Sequence, residues 1–159
     1  MARQVVPKAG VRRLRNRLVL IAALALGACG SGPPKLSVEK GYIRLGAAPR
    51  LPAVAYFTIH GGTADTALIA VSSEVSIKNE LHQSMQSGGM ASMKPLGDVP
   101  IPAGATVAFA PGGKHLMLFD MNPGIKPGRV VTLTFTFANN QRILFDAPTI
   151  AAGAPAPAF

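Results

Sequence analysis

Residues 130–137 read V-V-T-L-T-F-T-F and residues 141–146 read Q-R-I-L-F-D, with Ala138-Asn139-Asn140 between them. Val131, Leu133, Phe135 and Phe137 alternate with Thr132, Thr134 and Thr136. A pleated strand puts the first set on one face and the hydroxyls on the other. Asn tolerates a positive φ, so Asn139-Asn140 suits a tight reversal. Val130–Phe137 and Gln141–Asp146 therefore predict a β-hairpin with one face turned to a core.

The same pattern extends outward from this hairpin. Short stretches rich in β-branched and aromatic residues, bounded by Gly, Pro, Asn or Asp, predict strands over Leu36–Leu45, Ala53–His60, Ala67–Ser72, Ser76–Gln83, Met90–Pro95, Thr106–Phe109 and His115–Phe119. No window beyond the N-terminal region combines a helical period with caps. Many short strands with closely spaced turns imply an all-β domain, a Greek-key sandwich or barrel, over residues 36–150. Tyr42, Tyr56, Phe57, Phe109, Phe119, Phe135, Phe137 and Phe145 read as its core. The last nine residues, A-A-G-A-P-A-P-A-F at 151–159, form a low-complexity tail expected to be disordered or extended.

The first 28 residues do not read as fold. Arg3, Lys8, Arg12, Arg13, Arg15 and Arg17 make a basic start without an acidic residue, and the apolar run L-V-L-I-A-A-L-A-L follows at Leu18–Leu26. That run is too short for a mature membrane helix and reads as the core of an export signal. L-G-A-C at residues 26–29 resembles the bacterial lipobox, after which the signal is cut and the thiol of Cys29 is acylated. Two or more acyl chains anchor a protein stably. Residues 29–35 then form a lipidated cysteine and a short Gly/Pro/Ser tether. These features place the domain on the periplasmic face of the cell envelope, as a lipid-anchored membrane protein.

The signal also accounts for most of the charge. The chain carries 16 Lys+Arg against 7 Asp+Glu, a net +9. Six of the basic residues and none of the acids precede Cys29, which leaves ten against seven, a net +3. The basicity is therefore no argument for a nucleic-acid partner. Cys29 is the single cysteine, so no internal disulfide and no dithiol redox motif exist. A blue-copper electron carrier needs a thiolate ligand within its domain; here the one thiol sits on the tether.

His82, Met93, His115 and Met117 fall in the pattern H-x10-M-x21-H-x-M. Two imidazoles and two thioethers form a soft donor set of the kind that selects Cu(I). Thioethers are uncharged, insensitive to pH and persist where thiolates would oxidise. His115 and Met117 stand at i and i+2, on one face of a strand. Ser84–Gly89 can reverse the chain and bring Met93 back toward His82, with the ion where this loop meets the Pro111–Met117 turn. No carboxylate is needed, so the site would carry the charge of the ion alone. Met85 and Met90 are candidate accessory contacts. Met121 reads as core or loop, His60 as a surface-turn histidine and Lys114 as a solvated loop lysine.

The text around these positions resembles the PCu(A)C family of periplasmic copper chaperones. It comprises N-E-L-H at Asn79–His82, G-M-A-S-M-K-P-L at Gly89–Leu96, I-P-A-G at Ile101–Gly104 and P-G-G-K-H-L-M-L at Pro111–Leu118. Both ligand intervals match the family spacing, and the similarity runs from about Val38 to Ile150. The resemblance implies a cupredoxin-like fold with His82, Met93, His115 and Met117 as metal ligands. It also implies Cu(I) as cargo, delivered toward the dinuclear copper centre in subunit II of cytochrome c oxidase, often alongside Sco-type proteins. Many members carry a methionine one or two positions after the first histidine, where this chain has Gln83 and Ser84.

An enzyme is not expected. G-x-S-x-G, H-E-x-x-H and P-loop motifs are missing from the sequence, and no histidine has an acid at a recognisable dyad or triad spacing. The alternatives to copper delivery are a generic envelope lipoprotein, which leaves the ligand spacing unexplained, and a copper-storage or detoxification protein.

Overall fold

The computed structural model describes residues 32–159 apart from residue 88, with the backbone alone at 87, 90 and 91. The signal, Cys29 and the start of the tether lie outside the described residues. Ten strands are described: β1 (Ser37–Arg44), β2 (Ala53–His60), β3 (Thr66–Ser73), β4 (Ser76–Ser87), β5 (Met90–Pro95), β6 (Val99–Ile101), β7 (Thr106–Phe109), β8 (Lys114–Met121), β9 (Val130–Phe137) and β10 (Arg142–Ile150). Their hydrogen-bonded order is β5-β4-β8-β7-β2-β1-β10-β9-β3-β6.

The ribbon folds into two layers. β10 pairs antiparallel with β9 along most of its length, then parallel with β1 through Ile43↔Thr149 and Arg44↔Ile150. It thus passes from one layer to the other, and Pro148, which has no N–H to donate, precedes the change of partner. Thr149 is buried there, its hydroxyl within 2.8 Å of the carbonyls of Lys126 and Arg129.

The threonine-alternating strand behaves as its pattern requires. Val131, Leu133, Phe135 and Phe137 are all buried. They face Ala53, Ala55, Phe57 and Ile59 of β2, which alternate in the same way. Phe57 meets Phe135 edge-on at 4.8 Å between ring centres and stacks on Phe109 at 4.3 Å. Such pairs add about 0.5–1.5 kcal/mol to simple area burial. Asn140 closes the β9–β10 hairpin at φ 64°.

Three differences from the sequence reading have local causes. β6 was not expected; it is a three-residue edge strand, V-P-I, whose central Pro100 costs nothing because an edge needs donors on one side only. β4 continues to Ser87, four residues beyond the expected end at Gln83, because β5 pairs with it through Ser87↔Met90. β1 is interrupted by a bulge between Glu39 and Tyr42, with Lys40 at φ 54°. Val38 and Ile43 would point to opposite faces of a regular strand; the extra residue lets both enter the core.

The C-terminal residues 151–159 turn once and then carry no regular secondary structure. The Arg44 guanidinium donates to the carbonyls of Ala152, at 2.9 Å, and Ala154. The Phe159 ring lies 6.2 Å from that of Tyr42.

Candidate metal centre

Strand register decides where the four sequence candidates go. β4 and β8 pair antiparallel with His82 opposite His115 and Glu80 opposite Met117. β4 and β5 pair with Ser84 opposite Met93 and His82 opposite Pro95. Opposed residues share a face, and so do residues two apart on a strand. His82, Met93, His115 and Met117 therefore all lie on one face of β5-β4-β8. Leu81, Leu116 and Leu118 occupy the other face and are buried in the core. The face that carries these four candidates is thus the outer side of a sheet whose inner side is firmly packed.

The two imidazoles are the centre of the cluster. Their rings lie 6.0 Å apart and 21° from parallel. Two imidazoles on one ion, with metal–nitrogen bonds of about 2 Å, place their ring centres roughly 5–6 Å apart, so the spacing fits a shared ion. His115 is 4% exposed although it faces outward. The thioether of Met117 follows two residues along β8. Met93, diagonal to His82 across the hairpin, is 62% exposed. The set therefore grades from a buried imidazole to a solvent-facing thioether.

One backbone carbonyl ties the two arms together. Gly113 oxygen accepts the N–H of Ser84 at 3.1 Å, from β4, and the Nδ1–H of His115 at 3.0 Å. A carbonyl has two lone pairs and can serve both. The turn that presents it has Gly112 at φ 79°, a conformation that favours glycine. With Nδ1 engaged, His115 keeps Nε2 as its free lone pair, the arrangement by which a second contact orients a metal-binding imidazole. His82 Nδ1 is buried and, among the described residues, has no hydrogen-bond partner. A buried, unpaired ring nitrogen on a face shared with a second imidazole and two thioethers fits a soft metal ion.

The sequence reading left out a carboxylate, and the structure corrects this. Glu80 Oε2 is 3.7 Å from His82 Nε2, and Glu80 Oε1 is 2.6 Å from Lys78 Nζ. Lys78, hydrogen-bonded to Glu80, holds its carboxyl below the usual range. Lys78, Glu80 and His82 stand at i, i+2 and i+4 of one strand, so the same-face rule could have found them. His60 also has an acid neighbour, Glu39 at 3.6 Å, and its Nδ1 is 3.1 Å from Thr106 Oγ1. It ends β2 at the surface, as expected. The Glu39–His60 contact joins two strands and has no local spacing.

The remaining methionines separate clearly. Met85 pairs with Ser92 and so points to the face opposite His82. Met121 packs against the core, as expected. The side chain of Met90 lies outside the described residues.

The family model described as "Putative lipoprotein LpqE-like" matches residues 36–149. The chain belongs to the LpqE-like family. A relative in Leifsonia xyli subsp. xyli, "Putative lipoprotein Lxx21020", is 26% identical over 81 residues, half of this chain and 49% of that protein. The match thus spans about half the length of this curated relative. Among solved structures, the apo PCuAC domain from PmoF1 is 25% identical, with a TM-score of 0.60, covering 76% of this LpqE-like chain and 97% of that domain. The copper-bound PCuAC domain from PmoF2 is 21% identical, with a TM-score of 0.62, covering 76% and 96%. Cu(I)-bound DR1885 from Deinococcus radiodurans is 22% identical, with a TM-score of 0.62, covering 77% and 83%. The LpqE-like chain thus has the cupredoxin-like β fold of PCuAC domains.

Proposed function

We propose that this LpqE-like protein is an extracytoplasmic Cu(I) carrier without catalytic activity, and that His82, Met93, His115 and Met117 hold the ion. The observation that supports this best is the register of β5-β4-β8, which puts two imidazoles and two thioethers on one face. Soft, neutral donors favour Cu(I) over harder divalent ions. Two of the similar solved domains hold copper, one of them as Cu(I). The exposed Met93 gives an acceptor protein a thioether to displace first, while the buried His115 retains the ion until the exchange completes. The proposed acceptor is the dinuclear copper centre of cytochrome c oxidase, reached through subunit II with a Sco-type protein as co-worker.

On the same reading, residues 1–28 are an export signal and acylated Cys29 anchors the domain to a membrane outside the cytoplasm. X-ray absorption on the Cu(I)-loaded full chain in detergent tests the site. The expected first shell holds nitrogen at about 2.0 Å and sulfur at about 2.3 Å in equal numbers, taking ordinary metal–imidazole and metal–sulfur lengths. A shell of oxygen and nitrogen without sulfur would refute the assignment.

A further inference from the structure

The Glu80 carboxylate stands beside one nitrogen of His82 while the other nitrogen is buried and, among the described residues, unpaired. We propose that Glu80 is a positioning residue that fixes the tautomer of His82, so that His82 meets the metal through Nδ1 whereas His115 meets it through Nε2. This deepens the Cu(I)-carrier reading and rests on it for the identity of the ion.

A neutral imidazole carries its proton on one nitrogen and a lone pair on the other. For His115 the Gly113 carbonyl, 3.0 Å from Nδ1, requires the proton there. For His82 the environment is reversed. Glu80 Oε2 lies 3.7 Å from Nε2, longer than a good hydrogen bond but close enough for its negative charge to favour a proton on the facing nitrogen. The opposite tautomer would set a lone pair against that carboxylate. It would also bury an Nδ1–H for which the described residues offer no acceptor, which is costly. Both effects act in one direction and leave Nδ1 as the lone pair.

Glu80 is itself held. Lys78 Nζ, 2.6 Å from Oε1, occupies the carboxylate oxygen that does not face His82, and the ammonium also lies 5.5 Å from the centre of the Phe119 ring. Lys78, Glu80 and His82 thus form a row along one face of β4, and Glu80 never needs to touch the ion. The site would then contain one δ-bound and one ε-bound imidazole, on neighbouring strands, from two histidines that the register places directly opposite each other.

The test is nitrogen-15 NMR of the full chain in detergent with labelled histidine, since only three imidazoles contribute. Without metal, at a pH where the rings are neutral, His82 is expected as the Nε2–H tautomer by at least tenfold and His115 as the Nδ1–H tautomer. Cu(I), which is diamagnetic, is then expected to shift His82 Nδ1 and His115 Nε2. Glu80→Gln should collapse the His82 preference severalfold and leave His115 unchanged. A metal-free His82 found as Nδ1–H, Cu(I) bound through His82 Nε2, or a tautomer ratio indifferent to Glu80→Gln would each overturn the proposal. If the metal-free tautomers are as expected but Cu(I) moves neither ring, the carrier reading fails and the positioning role of Glu80 stands.

Discussion

The β2–β9 core and the β5-β4-β8 corner are built from strands of the same kind, yet they use the pleat for opposite ends. In the core both facing strands commit their buried sides to alternating apolar residues, and Phe57 and Phe135 interlock across the layers. In the corner only the inner side is committed, through Leu81, Leu116 and Leu118, and the outer side carries imidazoles, thioethers and a carboxylate. On the proposed assignment, stability and metal binding sit on opposite faces of the same strands. Changes to the outer face should alter binding with little effect on folding, and changes to the core should do the reverse.

The largest effect expected is on folding. Phe135→Ala removes a fully buried ring and should destabilise the domain by about 3–5 kcal/mol, read from denaturant unfolding. A loss below about 1 kcal/mol would mean that the core is not held by the Phe57–Phe135 contact. His115→Ala should weaken Cu(I) binding by more than a hundredfold, since even partners behind the ligands are worth about 10–100-fold. Its unfolding free energy should fall by only about 1 kcal/mol, the hydrogen bond to Gly113. A variant that loses both to similar extent would erase the distinction between the faces.

Thr149→Val tests the joint between the layers. It removes the buried hydroxyl, but the carbonyls of Lys126 and Arg129 keep the N–H groups of Arg129 and Thr149, so a cost of about 0.5–1.5 kcal/mol is expected, with Cu(I) affinity unchanged. Met93→Ala should lower affinity on the order of tenfold and speed release, with stability within about 0.5 kcal/mol because the side chain is exposed. Met85→Ala, on the opposite face, is the matched control and should change neither. Cys29→Ala should release the protein from membranes and leave both faces as they were; a variant that still sediments with membranes would remove the lipid anchor.

Much of this arrangement was legible in the sequence, and the physical reason differs from part to part. The hairpin of residues 130–146 was plain because its alternation is uninterrupted and its turn residue, Asn140, takes the left-handed conformation that Asn tolerates. The pairing of His115 with Met117 followed from the period of a strand. What brings His82 to His115 is long-range register between β4 and β8, which no local pattern specifies. The bulge at Lys40 was hidden because Val38 and Ile43 violate alternation, and β6 was hidden because a proline interrupts its three residues. Glu80 was within reach of the same rule that paired His115 with Met117. A soft-metal site needs no carboxylate donor, so the donor pattern by itself gave Glu80 no place.

The most direct measurement is an anaerobic competition titration of the full chain in detergent, Cu(I) against a chromogenic chelator, with His115→Ala run beside it. One equivalent of Cu(I) taken from the chelator, and an affinity at least a hundredfold weaker in the variant, is the predicted result. A chain that withdraws no Cu(I), or a variant that binds as tightly as the parent, would contradict a copper site on the outer face of β5-β4-β8.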